Sequence, residues 1–367
     1  MPIEGYATSD GTKGFMDKAL KNNVHPKHFR EFQGLIFSSI GMGTYLGEPD
    51  EETDKLLEEA LKDSLLSGAI NVIDTAINYR FQRAERTVGR VLKDLIEKGL
   101  INREEVFIAT KNGYLTHDSE LKVDFWDYIY KEWISKGLLK SNEITSEYHS
   151  MSLEYLKDQL DKSLKNLQLN CIDLLYLHNS AEAQLYDISR EEYMNKLEKV
   201  FTLYEELRRE GKIRYYGLAT WSSFRVPFDD KIHLNLEDLV KLAQRVGGEN
   251  HGFKFIQLPF NFLMREALKL KNQRINGKPL SPLEACKILN IGVFTSAPLL
   301  QSKLLSFNLP KVNELTKAQL CIQFARSAPI LTCLVGQKAK EHLRENLKLA
   351  KIQPLSEEEF KELINKI

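Results

Sequence analysis

Eight short apolar runs alternate with eight stretches of helical periodicity, and this alternation limits the possible folds more than any other feature. The apolar runs begin at Leu35, Ala69, Glu105, Cys171, Ile213, Lys254, Ile291 and Ile330. The helical stretches cover residues 51–66, 82–98, 152–167, 190–209, 235–246, 282–289, 314–326 and 339–350. Eight β-then-α units predict an α/β fold, a (β/α)8 TIM barrel. A doubly wound sheet remains the alternative, because a strand count does not prove that the sheet closes.

The barrel is predicted to occupy residues 35–350, between an N-terminal extension (1–34) and a C-terminal segment (351–367). A long insertion after strand 3, residues 112–150, is rich in aromatic side chains. Insertions at the carboxyl end of a barrel strand lie on the catalytic face. The insertion therefore either covers a pocket or packs on the rim as an amphipathic helix.

Composition indicates a small-molecule partner. Lysine plus arginine and aspartate plus glutamate both total 51, so no net charge favours nucleic acid or an anionic membrane. The sequence has no signal-peptide pattern and no apolar run of about 18 residues, which predicts a soluble, cytoplasmic protein. The four cysteines are far apart, which predicts neither a disulfide nor a metal site. The oligomeric state is not indicated.

Three successive strand ends carry chemically active side chains, and a fourth lies in the loop beside them. Asp74 ends the second strand, Tyr79 follows five residues later, Lys111 ends the third strand and His178 ends the fourth. Each has a structural explanation when taken alone: a helix cap, a rim aromatic, a strand reaching the surface or a hydrogen-bonded core histidine. Because barrel strands converge at their carboxyl ends, we expect all four in one crevice.

Together these side chains fit proton transfer to an oxygen. A lysine ammonium beside Tyr79 is expected to lower the phenol pKa from about 10, and Asp74 supplies the lysine's counter-charge. A drop of about three pKa units requires roughly 4 kcal/mol of interaction. His178 can donate a hydrogen bond to a carbonyl oxygen or orient it. This chemistry suits carbonyl reduction, with the hydride supplied by a cofactor.

From Ile40 to about Ala350 the chain resembles the aldo-keto reductase superfamily. The resemblance implies a (β/α)8 barrel that binds a nicotinamide cofactor, usually NADPH, and reduces aldehydes and ketones. It also implies that Tyr79 is the general acid, that Lys111 and Asp74 tune its pKa, and that His178 orients the substrate.

Four further segments, "IRYYGLATWS", "QLPFNFLMRE", "IGVFTSAPLLQSKL" and "LVGQKAKEHLRENL", resemble the family's cofactor motifs. Two departures stand out: Ala219 and Thr220 replace the usual Ser-Asn pair, and Ser296 replaces the tyrosine that stacks on the nicotinamide. The cofactor contacts implied by the resemblance are Thr44, Tyr45, Asp74, Thr220, Gln257, Ser296, Pro298, Leu299, Gln301, Lys303, Gly336, Lys338, His342, Glu345 and Asn346. Lys338 is the candidate partner of a 2′-phosphate, so NADPH is predicted in preference to NADH.

The stretch "IGMGTYLGEP" is not a Rossmann fingerprint, because Gly47 comes one residue too late for Gly-x-Gly-x-x-Gly. The sequence thus predicts an NADP-dependent oxidoreductase acting on carbonyl or CH–OH groups of a small molecule. One alternative is a cofactor-binding, redox-sensing subunit with slow turnover. Another is a Schiff-base aldolase that uses Lys111, which the predicted ion pair with Asp74 disfavours.

Overall fold

The computed structural model describes residues 1–312 and 314–366, and eight parallel strands at its centre close into a barrel. The strands are β1 (Ile40–Gly43), β2 (Val72–Asp74), β3 (Phe107–Asn112), β4 (Ile172–His178), β5 (Ile213–Ala219), β6 (Phe253–Pro259), β7 (Gly292–Ser296) and β8 (Thr332–Gly336). Closure comes from β8 and β1, where Cys333 pairs with Ile40 and Gly336 with Gly43. The predicted (β/α)8 fold is confirmed, and the doubly wound sheet is excluded.

One principal helix follows each barrel strand along the chain. These helices are α1 (Glu51–Leu66), α2 (Arg83–Glu97), α3 (Leu153–Leu167), α4 (Arg190–Arg209), α5 (Leu236–Gly247), α6 (Pro282–Ile288), α7 (Lys317–Ser327) and α8 (Lys340–Leu347). Asp50, Ser189 and Thr316 cap their helices by accepting a hydrogen bond from a first-turn N–H. The Thr316 cap explains why α7 begins at Lys317, after the start predicted at residue 314.

The apolar run from Leu35 forms two strands, not one. Leu35–Ser38 pairs antiparallel with Phe29–Phe32 outside the barrel, and β1 begins only at Ile40. Ser38 makes the break: its N–H donates to Asn71 Oδ1 at 2.9 Å, and its hydroxyl donates to the Ile40 carbonyl at 2.8 Å. The prediction of a barrel strand starting at Leu35 was therefore wrong over residues 35–39.

The hairpin of Phe29–Phe32 and Leu35–Ser38 covers the amino-terminal end of the barrel. Its Phe37 ring lies 4.9 Å from the ring of Phe107, the first residue of β3, between centroids. Helix Ser9–Lys21 contacts the same hairpin, because the Thr12 hydroxyl accepts the N–H of Ile36 at 3.0 Å. This end is thus filled by protein, which leaves the carboxyl end for a ligand.

Between β3 and α3, the long insertion contains a short helix, Phe125–Ile129, and a further helical turn, Tyr130–Ile134. Trp133 is fully buried and donates its indole N–H to Asp158 of α3 at 2.6 Å. Arg86 of α2 holds Asp118 through two hydrogen bonds of 2.8 and 2.5 Å. Part of the insertion therefore packs on the neighbouring helices.

The remaining regular elements are short. Helix Ser180–Gln184 follows β4, helix Glu266–Lys269 and the hairpin of Gln273–Ile275 with Lys278–Leu280 follow β6, and helix Glu357–Asn365 lies near the C-terminus. Within residues 1–312 and 314–366, no helix has the length and apolar character needed to cross a membrane.

Candidate active site

A cavity of about 480 Å³ opens at the carboxyl ends of the barrel strands. Predicted site residues on its wall are Thr44, Tyr45, Asp74, Tyr79, His178, Thr220, Gln257, Ser296, Pro298, Leu299, Gln301 and Gly336. Lys111 is fully buried and binds Asp74 from behind the wall. The structure thus brings the four predicted catalytic side chains together, as their strand-end positions require.

Asp74 and Lys111 form a buried ion pair with an Nζ–Oδ1 distance of 2.5 Å. Lys111 also donates to the Thr75 carbonyl at 2.9 Å, while the Gln257 amide donates to the other Asp74 oxygen at 2.7 Å. Burial raises the pKa of the Asp74 carboxyl and lowers the pKa of the Lys111 ammonium, and their mutual attraction opposes both shifts. Both carboxylate oxygens therefore have hydrogen-bond donors within the protein.

Tyr79 lies directly above this pair. Its ring centroid is 4.8 Å from Lys111 Nζ, 5.1 Å from the Tyr45 ring and 6.0 Å from the His178 ring. Burial, followed by the charge of Asp74, raises the pKa of the Tyr79 phenol well above its usual value. The expected lowering by Lys111 was wrong for this arrangement, because the ammonium binds Asp74 and lies over the ring face. Tyr79 keeps its proton at neutral pH and suits donation.

The loop after Tyr79 has an unusual backbone. Arg80, Phe81 and Gln82 all have positive φ, of 48°, 51° and 75°, although none is glycine. Arg80 is anchored to Asp54 of α1 at 2.7 Å, and Gln82 donates to the hydroxyl of a buried tyrosine at 3.1 Å. These anchors hold a left-handed turn whose backbone conformation is energetically costly, and they fix the position of the backbone next to Tyr79.

His178 is a neutral imidazole at the end of β4. Burial, with smaller effects from Lys111 and His149, lowers its pKa well below the usual value of 6.5. Its Nδ1 is buried and has no hydrogen-bond partner within the described chain. A neutral imidazole has one N–H, which can serve an oxygen placed in the cavity.

His149, from the long insertion, supports His178 from behind. Its Nε2 lies 3.0 Å from the His178 carbonyl oxygen and its Nδ1 lies 2.9 Å from the Gln184 amide. Burial lowers the pKa of His149 to about 3, so this ring is neutral as well. Gly113 makes room for it, because a Cβ there would come within 2.3 Å of His149 Nε2. The insertion thus reaches the predicted catalytic residues.

The predicted cofactor residues divide into two groups. Thr220 lies on the cavity wall with a buried hydroxyl that has no partner within the described residues. Lys303, Lys338, His342, Glu345 and Asn346 do not line the cavity. Glu345 accepts the hydroxyl of Thr316, and Asn346 donates to Gln337 at 3.1 Å. Gly336 lines the cavity and lies two positions before Lys338, so the chain leads from the cavity to most of the second group at this point.

The aldo/keto reductase family model matches residues 39–227, which include all four strand-end residues. The chain belongs to this family. It is similar to an uncharacterized oxidoreductase, YqkF, of Bacillus subtilis, with 25% identity over 349 residues covering 90% of this chain and 92% of that protein. It is also similar to an NADH-specific methylglyoxal reductase of Escherichia coli, with 27% identity over 191 residues, 50% of this chain and 49% of that protein.

Solved structures support the fold of this aldo/keto reductase. Aldo-keto reductase AKR11C1 from Bacillus halodurans, in its holo form, has a TM-score of 0.63 at 19% identity and covers 93% of this chain and 96% of its own. An aldo/keto reductase from Klebsiella pneumoniae, in complex with NADP and acetate, has a TM-score of 0.60 at 20% identity and covers 93% and 95%. The solved structures thus show the same fold, and the family match shows that the chain is an oxidoreductase of this family.

Several wall residues of this aldo/keto reductase were not predicted as site residues. They include Leu46, Asn78, Tyr114, Asn179 and Trp221. Asn179 and Trp221 each come one position after a predicted site residue, so extending the strand-end rule into the loop would have found them. Tyr114 comes from the insertion, and its ring centroid lies 5.1 Å from that of His178. Its aromatic character was the available signal.

Proposed function

We propose that this aldo/keto reductase is an NADPH-dependent reductase of small aldehydes and ketones, with Tyr79 as the general acid. One observation carries the proposal: Tyr79, His178 and Asp74 line a single cavity, and Lys111, paired with Asp74 behind its wall, has its Nζ 4.8 Å from the Tyr79 ring centroid. In the proposed roles Tyr79 donates a proton to the substrate oxygen, Lys111 stabilises the phenolate that forms, Asp74 keeps Lys111 protonated, and His178 orients the carbonyl.

The raised pKa of Tyr79 keeps the phenol protonated before the reaction, as a proton donor must be, and it also makes the phenol a weaker acid that needs a nearby positive charge. The phenol stays protonated until negative charge develops on the substrate oxygen, and it then transfers the proton. Lys111 Nζ lies 4.8 Å from the Tyr79 ring centroid. With the phenolate charge placed at that centroid, the Lys111 charge stabilises it by roughly 3 kcal/mol at an effective dielectric of about 20. Asp74 offsets part of that gain, while it keeps Lys111 protonated inside the barrel.

The cavity fits a nicotinamide group next to this acid. A nicotinamide cofactor supplies a hydride when bound. Thr220 offers a buried hydroxyl without a partner in the described structure, which suits the carboxamide. Ser296 lies at the end of β7 where the family resemblance implies a stacking tyrosine, so we propose that this chain holds the ring with less aromatic contact.

Cofactor choice depends in the proposal on Lys338. Its Nζ lies beside the loop after β1, since a Cβ on Gly47 would come within 3.2 Å of it. Solved relatives are described with NADP or NADPH, whereas the Escherichia coli relative is NADH-specific. Fluorescence titration should give tighter binding of NADPH than NADH, and Lys338→Gln should remove most of that preference. Lys340→Gln is the control, because Lys340 is paired with Glu59 at 2.9 Å.

The substrate should be uncharged and at least partly aromatic. Tyr45, Tyr114, Trp221 and Leu299 supply apolar surface to the cavity, and none of its described wall residues is a lysine or an arginine. A carboxylate on the substrate would lose hydration there without gaining a cationic partner. We propose that segment 112–150 contributes to substrate selection through Tyr114, and that residues 35–350 form the catalytic unit.

The alternatives make different predictions. Lys111 is fully buried and ion-paired at 2.5 Å, so it is a poor nucleophile for a Schiff base. A redox-sensing subunit gains support from Ser296 in place of a stacking tyrosine. That role predicts oxidation of one equivalent of bound NADPH by an aldehyde without sustained turnover.

A panel of aldehydes and ketones with NADPH deuterated at C4 tests the proposal. We expect multiple turnovers and an alcohol product that carries deuterium on the former carbonyl carbon. A single turnover would favour the sensing role, and the absence of deuterium transfer would contradict both.

A further inference from the structure

The amino-terminal end of the barrel, opposite the cavity, contains a second feature with a chemical character of its own. A groove of about 370 Å³ lies between the hairpin strand Phe29–Phe32 and the segment before helix Glu357–Asn365. Lys27, Arg30, Ser327 and Ser356 are among its lining residues. None of these residues takes part in the proposed reaction.

Two arginines are packed together beside this groove. Arg326 is fully buried, and Arg30 Nη2 donates to its backbone carbonyl at 2.5 Å. Arg326 donates only to neutral acceptors: Gln323 at 2.6 Å, the Ile352 carbonyl at 3.0 Å, and a histidine and a serine at longer range. Within residues 1–312 and 314–366 neither guanidinium forms an ion pair.

Arg30 is the half-buried member of the pair, and it lines the groove. Its Nη1 is buried without a hydrogen-bond partner in the described structure. Burial lowers the pKa of Arg30 to about 10 and that of Arg326 to about 9, which shows the electrostatic cost of holding both charges here. The negative end of α7 compensates for only part of this cost.

The histidine beside the arginines adds no charge. His28 is fully buried, its Nε2 lies 2.6 Å from the Ala69 carbonyl oxygen, and its Nδ1 lies 3.3 Å from Arg326 Nη1. Burial lowers the pKa of His28 to about 3, so the ring is a neutral acceptor for the guanidinium. The cluster therefore keeps two positive charges and has no described negative partner.

The charged side chains that line the groove also leave an excess of positive charge. Lys27 is exposed and forms no ion pair in the described part of the chain. Glu357 lines the groove, but its carboxylate is already held by Lys361 at 2.6 Å. A dianionic oxyanion bound between Lys27 and Arg30 would supply the missing negative partner, with a charge-assisted hydrogen bond to the guanidinium.

We propose that this groove is a binding site for a phosphate-type oxyanion, either free or carried by a small metabolite. Arg30 is its main ligand, Lys27 adds a second charge, and Arg326 supports Arg30 from behind. The site is separate from the cavity and does not depend on the proposed function.

Thermal unfolding with inorganic phosphate tests the site, in buffer matched for ionic strength with KCl. We expect a rise in Tm of about 3 °C for the intact chain, which grows with the logarithm of the phosphate concentration above Kd. Arg30→Gln should abolish the rise, and Lys27→Gln, a change at an exposed position, should weaken apparent affinity by about tenfold. Lys13→Gln is the control, because Lys13 is exposed and lies outside the groove.

The variants also separate this site from the cofactor residues. If Arg30→Gln fails to fold, Arg30→Lys and Lys27→Gln provide the comparison. An equal phosphate response in the intact chain and in the groove variants would overturn the proposal. So would a response lost in Lys338→Gln but kept in Arg30→Gln, since phosphate would then bind among the proposed cofactor residues. A response no greater than that to KCl would overturn it as well.

Discussion

Lys111→Met removes the positive partner of Asp74 and leaves a carboxylate inside the barrel. At 2.5 Å the lost attraction is about 7 kcal/mol at an effective dielectric of 20, and no longer burying the lysine charge returns part of that. Asp74 can instead take up a proton, which costs about 4 kcal/mol at pH 7 for a carboxyl with an ordinary pKa near 3.9. Because the cost of protonating Asp74 is the most that this substitution can lose, we expect the free energy of unfolding to fall by about 3–4 kcal/mol.

This loss should depend on pH in a definite direction. Without Lys111, burial outweighs the remaining hydrogen bond from Gln257, and the folded-state pKa of Asp74 rises above the unfolded value. The folded state then binds more protons, so the deficit is largest at pH 7 and shrinks by about 1.4 kcal/mol per unit as the pH falls to 5. With about 2.1 cal/mol/K of unfolding entropy per residue over 367 residues, Tm falls by roughly 5 °C at pH 7.

Urea unfolding at pH 5, 6 and 7 measures the effect, with Asp74→Asn/Lys111→Met as the variant that should recover most of the stability. Lys212→Met is the matched control, because Lys212 pairs with Asp161 at 2.9 Å on the surface and should cost less than about 1 kcal/mol. The reasoning is refuted if Lys111→Met loses less than 1 kcal/mol at pH 7, or if its deficit does not shrink at pH 5.

Gly113→Ala should destabilise the fold by more than about 2 kcal/mol, because φ is +117° and the new methyl would clash with His149, whereas Gly137→Ala, with φ of +71° and no atom within 4 Å, should cost about 1 kcal/mol. Equal urea midpoints would contradict this. At saturating substrate, kcat for reduction should be flat from pH 6 to 9, because the lowered pKa of His178 keeps it neutral and the raised pKa of Tyr79 keeps it protonated. If kcat instead changes with pH in that range, and the change is lost when His178 or Tyr79 is replaced, the assignments are contradicted. Benzaldehyde should exceed 4-carboxybenzaldehyde in kcat/KM by at least about tenfold, and equal values would argue against a cavity without a cation.

The sequence predicted those parts of the site for which a single rule relates a residue's position in the chain to its position in the barrel. Asp74 and His178 end their barrel strands and Lys111 is the second-to-last residue of the strand between them, and parallel strands deliver their carboxyl ends to one face. The β-then-α order of the barrel followed from alternating periods, since buried parallel strands are short and apolar while their helices are amphipathic. Closure of the sheet is seen only in the pairing of β8 with β1.

The failures were local and came from side chains competing for partners. The pKa of Tyr79 depends on which atom the Lys111 ammonium approaches, and that choice is set by Asp74 and the Thr75 carbonyl. The break after Ser38 depends on Asn71, which is distant in sequence. Support of His178 by His149 likewise depends on a fold of the insertion that has no simple period.

The central claim is that Tyr79 protonates the substrate oxygen. Stopped-flow oxidation of NADPH by an aldehyde, compared for the intact chain, Tyr79→Phe and Tyr45→Phe, tests it most directly, because both variants lose one cavity-facing hydroxyl. We predict that Tyr79→Phe keeps NADPH affinity within about twofold but slows reduction by at least about 10²-fold, while Tyr45→Phe slows it by less than about tenfold. Equal rates for Tyr79→Phe and the intact chain would contradict the proposed mechanism.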